Sequence, residues 1–439
     1  METALLLGQT LSFAGNPFEG AVEDAVSHIR RGAVRIEGGK VAEIGAADDL
    51  LAAHPGLPQI DHGDHLIMAG FVDAHAHYSQ TGIIASWGKR LIDWLNSYTF
   101  PEEARFNDPE HATRIADLYL DLNLSNGITT ACCYCTIHPE SVNALMKASQ
   151  ARGLAMAAGK VMMDRNAPDN LRDTAERGYD ESKKLLQKWH GVGRLRYAVT
   201  PRFAPTSTPD QLAAAGALWA ENPDCLMQTH LSEQHEEIAW VRELFPEARD
   251  YFDVYQRFGL AGPGAIMGHA IHLTERERAA IKDTGSAVAH CPTSNTFIGS
   301  GLFDMARAQA DGIATGLATD VGGGSSFSML RTMAAAYEIG QLSGTALHPA
   351  QLLWLATVGS AEVLRMPDIG NLEVGRDADL VVLDLGSTPV IAQRAARAAN
   401  FWEQVFPSIM LGDDRAISGV YIAGRRSTRR ATGASGGSI

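Results

Sequence analysis

The sequence predicts an α/β protein: a (β/α)8 TIM-like barrel with a small β-sandwich domain formed from the N- and C-terminal segments. Three observations support this fold. Eight short apolar runs lie in the middle of the chain, amphipathic segments separate them, and both ends have a different, strand-rich texture. Short apolar runs are typical of buried parallel strands, and eight strand–helix units in roughly 300 residues favour a closed barrel. An open doubly wound sheet is the alternative, but it usually has fewer strands.

The eight apolar runs have the length of buried strands. They are Phe71–His75, Ile128–Cys132, Leu154–Ala158, Leu195–Val199, Cys225–His230, Ala265–His269, Ser286–His290 and Ile313–Asp320. Helix-like segments lie between them, among them Thr113–Asn126, Asp210–Glu221 and Thr274–Asp283. This alternation predicts a barrel domain over residues 69–369.

Both ends of the chain contain short strand-like pieces separated by Gly, Pro and Asp. These pieces lie in Ala33–Glu37, Lys40–Ile44, Leu66–Met68, Gly375–Asp384 and Gly419–Arg425. The simplest arrangement pairs the two ends, so we expect one small β domain made of residues 1–68 and 370–439. The Arg-, Gly- and Ser-rich end, from about Arg429 to Ile439, is predicted to be disordered.

The 439-residue chain is acidic, with 37 Lys plus Arg against 51 Asp plus Glu and a formal net charge of −14. This balance disfavours nonspecific contact with phosphate backbones or anionic lipid, so we expect neither nucleic acid nor a membrane as a partner. The N-terminus lacks a basic n-region, and no apolar run approaches the ~18 residues of a membrane span. We therefore expect a cytoplasmic protein.

The five cysteines are odd in number and do not form a disulfide framework, which indicates a reducing compartment. Cys132 and Cys135 have a spacing that is also found in metal and redox motifs. No second cysteine pair follows, and the cluster lies in an apolar run. We therefore interpret these cysteines as buried strand residues.

Residues that can bind a metal recur at the carboxyl ends of the predicted strands, where barrel enzymes place their active sites. His75 and His77 are two residues apart in one strand, so their side chains point to the same side. His230, His269 and Asp320 end three further strands. Because neutral imidazole and carboxylate groups suit Zn²⁺ or Fe²⁺, the sequence predicts a metal site at this end of the barrel.

Three further features lie close to these predicted ligands. Glu233, three residues after His230, is predicted to be a general acid/base, although a first-turn helix acid is the alternative. His290, at the end of the seventh strand, is interpreted as a residue that packs or supports the ligands. The glycines at 322–324 lack the P-loop lysine and the Rossmann spacing, so we interpret them as a flexible turn that lets backbone approach a ligand.

Together these residues resemble the amidohydrolase superfamily over nearly the whole chain. The His75-x-His77 pair, His230, His269 and Asp320 are similar, strand by strand, to the pattern of its mononuclear members. Dinuclear members have a lysine at the end of the fourth strand, where this sequence reads Val-Thr-Pro-Arg-Phe. The resemblance therefore implies one Zn²⁺ per chain, with Fe²⁺ as the alternative, held by His75, His77, His230 and Asp320. It also implies a homodimer.

A narrower resemblance, to guanine deaminases, depends on longer motifs. They are Leu91–Phe106, Thr200–Phe203, His230–Glu233, His290–Asn295, Thr319–Gly324 and Leu411–Arg415. The His-Cys-Pro and Thr-Asp motifs are shared by many deaminases, whereas the first two segments are more specific. The resemblance implies that a small purine binds to Gln80, Trp94, Leu95, Arg202 and Phe203. A flat ring edged with donors and acceptors suits an amide, a guanidinium and an aromatic wall.

The resemblance implies hydrolytic deamination of guanine to xanthine and ammonia. Asp320 would take a proton from a metal-activated water that attacks C2, Glu233 would protonate N3 and the leaving amine, and His269 would polarise the attacking oxygen. The first alternative is a related deaminase that acts on 8-oxoguanine, a pterin or an adenine-like ring. A hydrolase of cyclic amides usually needs two metals, and a catalytically silent scaffold usually lacks metal ligands.

Overall fold

The computed structural model describes residues 3–87 and 90–427, so the predicted disorder of the C-terminal tail lies outside the described residues. Sixteen strands lie within these ranges. They are β1 (Thr3–Phe13), β2 (Val26–Glu37), β3 (Lys40–Ala46), β4 (Gln59–Ala69), β5 (Phe71–His77), β6 (Ile128–Tyr134), β7 (Ala155–Gly159), β8 (Val161–Met162), β9 (Leu195–Pro201), β10 (Leu226–Leu231), β11 (Ala265–His269), β12 (Ala287–His290), β13 (Thr315–Leu317), β14 (Leu380–Leu383), β15 (Ile417–Ile422) and β16 (Arg425–Arg426).

The predicted barrel is confirmed. Eight parallel strands follow the order β5-β6-β7-β9-β10-β11-β12-β13, and the short β8 pairs with β9. Each of the eight apolar runs overlaps one of these strands. Beyond the end of β13, the backbone N–H of Asp320 donates to the carbonyl oxygen of His75 at 3.0 Å, and that of His77 donates to Val321 at 2.5 Å. These bonds join the first and last strands at the end where the candidate site lies.

Helices lie between the barrel strands and after the last of them, at Pro109–Ser125, Pro139–Arg152, Ala175–Trp189, Pro209–Glu221, His235–Leu244, Tyr251–Arg257, Glu275–Thr284, Pro292–Phe297, Met305–Ala310, Met329–Leu342 and Pro349–Trp354. Helices outside the barrel segment include Ala47–Ala53, Pro389–Ala395 and Phe401–Leu411. Their boundaries follow local chemistry: Thr274 and Glu277 form a capping box at the start of Glu275–Thr284, and Gly285 ends that helix at φ 71°. Within the described ranges, no helix combines the length and the apolarity that crossing a lipid bilayer requires.

The two ends of the chain form one small β domain, as predicted. Its strands lie in a single seven-stranded sheet, in the order β16-β15-β14-β4-β1-β2-β3, that is antiparallel except between β1 and β4. Alternate residues of β14 pack into different cores: Val381 and Leu383 into that of the barrel, Leu380 and Val382 into one within the small domain. This alternation attaches the sheet to the barrel. Strand β1 was not predicted from the sequence, and the domain boundaries at 68/69 and 369/370 stay predictions.

Candidate functional site

The five predicted metal-site residues come together at the carboxyl ends of the barrel strands. His75 and His77 lie on β5, His230 on β10 and His269 at the end of β11, and Asp320 follows β13. Their side chains are largely removed from solvent; Asp320, for example, is 4% exposed. Barrel topology brings these side chains together although as many as 245 positions separate them in the chain.

The donor set fits one divalent metal ion. The Nε2 atoms of His77 and His230 face each other at 3.2 Å, and Asp320 Oδ1 lies 3.3 Å from His75 Nε2 and 3.5 Å from His77 Nε2. Burial lowers the pKa of His77 and of His230 well below its usual range, so these rings are neutral and have free lone pairs. Neutral imidazoles beside a carboxylate are ordinary ligands of Zn²⁺ and of Fe²⁺.

Contacts outside this donor set orient two of the rings. His230 Nδ1 donates to the carbonyl oxygen of Arg202 at 2.7 Å, which leaves Nε2 to face the site. Gly268 makes room for His75, since a Cβ at this position would lie 2.8 Å from His75 Cε1. His269 and Asp320 have φ values of 66° and 48°, in the left-handed region that residues other than glycine seldom adopt. The backbone therefore turns sharply at two of the strand ends that carry the site.

Glu233 and His269 form a buried acid–base pair next to Asp320. His269 Nε2 lies 3.5 Å from Glu233 Oε2 and 3.7 Å from Asp320 Oδ2. Ser300 Oγ donates to Glu233 Oε1 at 2.8 Å, and His269 Nδ1 lies 2.8 Å from Asn295 Oδ1. Both carboxylate oxygens of Glu233 and both ring nitrogens of His269 therefore have a polar neighbour that fixes their orientation.

The charges in this pair act on one another. Burial raises the pKa of Glu233, and the neighbouring His269 charge only partly opposes that rise. Burial alone would lower the pKa of His269, but the Glu233 carboxylate raises it above its usual range. At Asp320, burial opposes ionisation, yet the hydrogen bond and charge of His75 hold its pKa below the usual range. The site therefore combines an ionised carboxylate with a carboxyl group that retains its proton more readily than an exposed glutamate.

A cavity with about 420 Å³ of empty space opens beside these groups. All five residues predicted to bind substrate line it. Its walls are formed by His77, Gln80, Leu91, Trp94, Leu95, Arg202, Phe203, His230, Glu233, His269, Ile298, Asp320 and Gly323. Sequence reasoning missed Leu91 and Ile298. Leu91 lies in the quoted Leu91–Phe106 motif, whereas an isolated isoleucine such as Ile298 has no signal that marks it as a pocket residue.

Glu103 is the most informative of the site residues that were not predicted from the sequence. It is fully buried, and its two carboxylate oxygens accept hydrogen bonds from Gln80 Nε2 at 2.9 Å and from Arg202 Nη1 at 2.7 Å. Asn295 and Ser300, which hold His269 and Glu233, were also missed. Glu103 and Asn295 lie inside quoted motifs, so their position was visible in the sequence but their partners were not.

The glycines at 322–324 were interpreted from the sequence as a flexible turn, and in the structure they also allow close packing of the backbone. A Cβ on Gly322 would lie 2.6 Å from the carbonyl oxygen of Gln80, and one on Gly324 would lie 1.9 Å from that of Thr319. Gly323 lines the cavity itself. The absence of side chains therefore lets the segment after β13 press against the loop after β5.

The remaining candidates from the sequence are packing residues in the described structure. His290 is buried and stacks on Phe303, with ring centroids 4.5 Å apart, and burial lowers its pKa to about 3. All five cysteines are buried and unpaired by disulfides. Cys132 Sγ donates to Gln228 Oε1 at 3.2 Å. Burial raises the pKa of Cys291 to about 11, so this thiol near the site is protonated at neutral pH.

The profile described as "Amidohydrolase family" matches residues 66–426, which include every strand of the barrel. The chain belongs to the amidohydrolase family. A second profile, described as "Imidazolonepropionase-like composite domain, bacteria", matches residues 32–56 of the small domain.

This amidohydrolase is similar to proteins named guanine deaminase. It is 42% identical over 412 residues to the guanine deaminase of Escherichia coli (strain K12), which covers 93% of each chain. The solved E. coli guanine deaminase aligns with a TM-score of 0.95 at 40% identity, covering 97% of this chain and 100% of that one. A guanine deaminase from C. acetobutylicum, solved with guanine bound in its active site, aligns with a TM-score of 0.88 at 28% identity, covering 97% and 100% of the two chains.

Proposed function

We propose that this amidohydrolase catalyses the hydrolytic deamination of guanine to xanthine and ammonia. The observation that carries the proposal is a juxtaposition: the cavity lined by Gln80, Arg202 and Phe203 opens directly onto Glu233 and Asp320. A flat ring held in that cavity would have its reacting carbon next to the acid–base groups. The similarity to guanine deaminases over more than nine tenths of the chain supports the same reaction.

We further propose one zinc ion per chain, held by His75, His77, His230 and Asp320. Their neutral imidazoles and single ionised carboxylate support this choice. Among the described residues that line the cavity there is no lysine of the kind that bridges two metals in dinuclear members. When bound, such an ion supplies Lewis acidity and lowers the pKa of a water molecule at the site towards neutrality.

The chain's own side chains would move the protons. Asp320, whose low pKa keeps it ionised, accepts a proton from the attacking water. Glu233, whose burial favours the protonated form, delivers a proton to N3 as the oxygen adds to C2. Glu233, now ionised, takes the proton of the hydroxyl group at C2 and passes it to the exocyclic amine. The C2–N bond then breaks, ammonia leaves and the C2 carbonyl of xanthine forms. His269, within 4 Å of both carboxylates, stabilises the oxygen that adds to the ring.

The rival substrates are 8-oxoguanine, pterins and adenine-like rings. Gln80 and Arg202 favour a ring that presents both a donor and a carbonyl acceptor to them, whereas adenine has no carbonyl. Trp94 and Leu95, on the segment that follows the first barrel strand, also line the cavity. If guanine, 8-oxoguanine, pterins and adenine all fit into the cavity, the polar contacts of Gln80 and Arg202 would be the basis on which the enzyme selects its substrate.

The decisive experiment is to incubate the protein with guanine and follow xanthine by its ultraviolet spectrum, with and without a chelator. Ammonia release from guanine should exceed that from 8-oxoguanine, a pterin and adenine by at least about tenfold. Faster ammonia release from one of the other rings would identify that ring, and not guanine, as the substrate. A protein that releases ammonia from none of them, and that holds far less than one equivalent of metal after supplemented expression, would be a scaffold.

The homodimer and the cytoplasmic location are proposals of the same kind. The dimer is supported by the resemblance alone. Five unpaired cysteines within the described structure support a reducing compartment. Sedimentation analysis of the purified protein tests the first, and localisation of the tagged protein in cells tests the second.

A further inference from the structure

We propose that Glu103 is a positioning residue that sets the hydrogen-bonding polarity of the purine cavity. It lies behind the cavity wall and is not among the cavity-lining residues. Both of its oxygens are occupied, one by Gln80 and one by Arg202. The inference rests on the proposed function, because it identifies how the two polar substrate contacts are held.

The carboxylate determines which way the Gln80 amide points. A carboxylate only accepts hydrogen bonds, so the amide must turn its NH₂ group, Nε2, towards Glu103. Nε2 does lie 2.9 Å from Glu103 Oε1. The carbonyl oxygen on the other side of the planar amide is then the group that Gln80 turns away from Glu103 and offers to the cavity. Gln80 therefore acts as an acceptor, which suits a ring N–H.

The same carboxylate holds the Arg202 guanidinium. Nη1 donates to Glu103 Oε2 at 2.7 Å, and the guanidinium carbon lies 5.8 Å from the centre of the Phe100 ring. The Arg202 backbone is also fixed, because its carbonyl accepts from His230. With one nitrogen committed to Glu103, the remaining donors of the planar fork have a defined direction. The charge of Glu103 also balances the guanidinium in a buried site, where an unpaired charge is costly.

Glu103 therefore holds two side chains in a fixed relative orientation: Gln80 as a hydrogen-bond acceptor and Arg202 as a cationic donor. Guanine presents a complementary edge, since its six-membered ring places a carbonyl next to an N–H. A carboxamide at position 103 would reverse half of this arrangement. It has one acceptor oxygen instead of two, so its NH₂ group would face either the Gln80 amide nitrogen or the guanidinium, and one donor would lose its partner.

Glu103→Gln tests the proposal, with Glu102→Gln as a matched control. Glu102 is adjacent and buried, but its partners are Arg105 and His111, outside the cavity. We expect Glu103→Gln to raise KM for guanine at least about tenfold and to lower kcat by a smaller factor, with metal content unchanged. Glu102→Gln should leave KM within about twofold of the wild type.

A swap of the two groups separates positioning from a merely structural role. Gln80→Glu alone places two carboxylates side by side, and we expect it also to raise KM at least about tenfold. Combined with Glu103→Gln, it restores an amide–carboxylate pair and again directs an acceptor to the cavity. The double variant should therefore have a KM at least about threefold below the product of the two single effects.

Several outcomes would overturn the proposal. They are a KM within about twofold of the wild type for Glu103→Gln, a double variant whose effects simply multiply, or equal damage from Glu102→Gln. If Glu103→Gln does not fold, the comparison of Gln80→Glu with the double variant still decides the question. Wild-type protein that forms no xanthine from guanine would refute the proposed function instead, so the two failures are distinguishable.

Discussion

Glu233→Gln isolates the proton-transfer role that the site geometry supports. Glu233 is 2% exposed and is held by Ser300 on one oxygen, with His269 at 3.5 Å from the other. The amide has nearly the same shape, so its oxygen can still accept from Ser300 and the fold should persist. The amide cannot, however, release a proton. Loss of a positioned general acid lowers rates by about 10²–10⁴, which corresponds to roughly 3–5 kcal/mol in the activation barrier.

The assay is kcat for xanthine formation together with the metal content of the same preparation. Because Glu233 is outside the proposed ligand set of His75, His77, His230 and Asp320, the variant should retain its metal. Ser300→Ala is a milder perturbation of the same group, because it removes the hydrogen bond that lowers the pKa of Glu233. We expect this variant to lose about tenfold in kcat. A Glu233→Gln enzyme that retains metal and keeps kcat within about tenfold of the wild type would refute the assigned role.

The remaining predictions concern the metal, the ring that needs space and a buried carboxyl group. Dialysis against a chelator should abolish xanthine formation and added Zn²⁺ should restore it; activity that survives in metal-free protein would contradict the proposed ligand set. Gly268→Ala pushes a methyl group against His75, so we expect reduced metal content and turnover, whereas Gly20→Ala, with nothing within 4 Å, should change neither. Burial, followed by the charge of Glu233, raises the pKa of Glu237 to about 7, so the folded state keeps this proton while the unfolded chain loses it. Stability should therefore fall as pH rises from about 4.5 to about 7, by roughly 3 kcal/mol from this group. Denaturant unfolding at both ends of that pH range should show that Glu237→Gln loses less free energy of unfolding than the wild type. Equal losses in the two proteins would contradict this prediction.

Sequence periodicity predicted the barrel and its metal-binding end because both depend on local rules. Parallel strands buried on both faces appear as short apolar runs, and residues two apart on a strand, such as His75 and His77, share a side. Each proposed ligand lies at the end of one such run or, like His77, just beyond it, so its position at the carboxyl rim followed once the runs were recognised as strands. Local patterning did not reveal β1 (Thr3–Phe13), because the N-terminal segment was considered only as a possible signal peptide.

Contacts between distant positions were beyond local reasoning. Glu103 bonds to residues 23 and 99 positions away, Ser300 to one 67 positions away, and Asn295 to one 26 positions away. None of these residues has a distinctive spacing of its own. A buried glutamate and an exposed glutamate are identical in sequence, and only the surrounding packing distinguishes them.

The sequence by itself determined the fold class, the donor types and the strand ends that carry them. Apolar periodicity and the chemistry of imidazole and carboxylate are properties of local sequence, and they need no knowledge of neighbours in space. Only the tertiary structure decided which nitrogen of His230 faces the site, which side of the Gln80 amide is turned away from Glu103, and which carboxyl group has a raised pKa. Orientation and protonation depend on hydrogen-bond partners and on burial, and folding supplies both from distant parts of the chain.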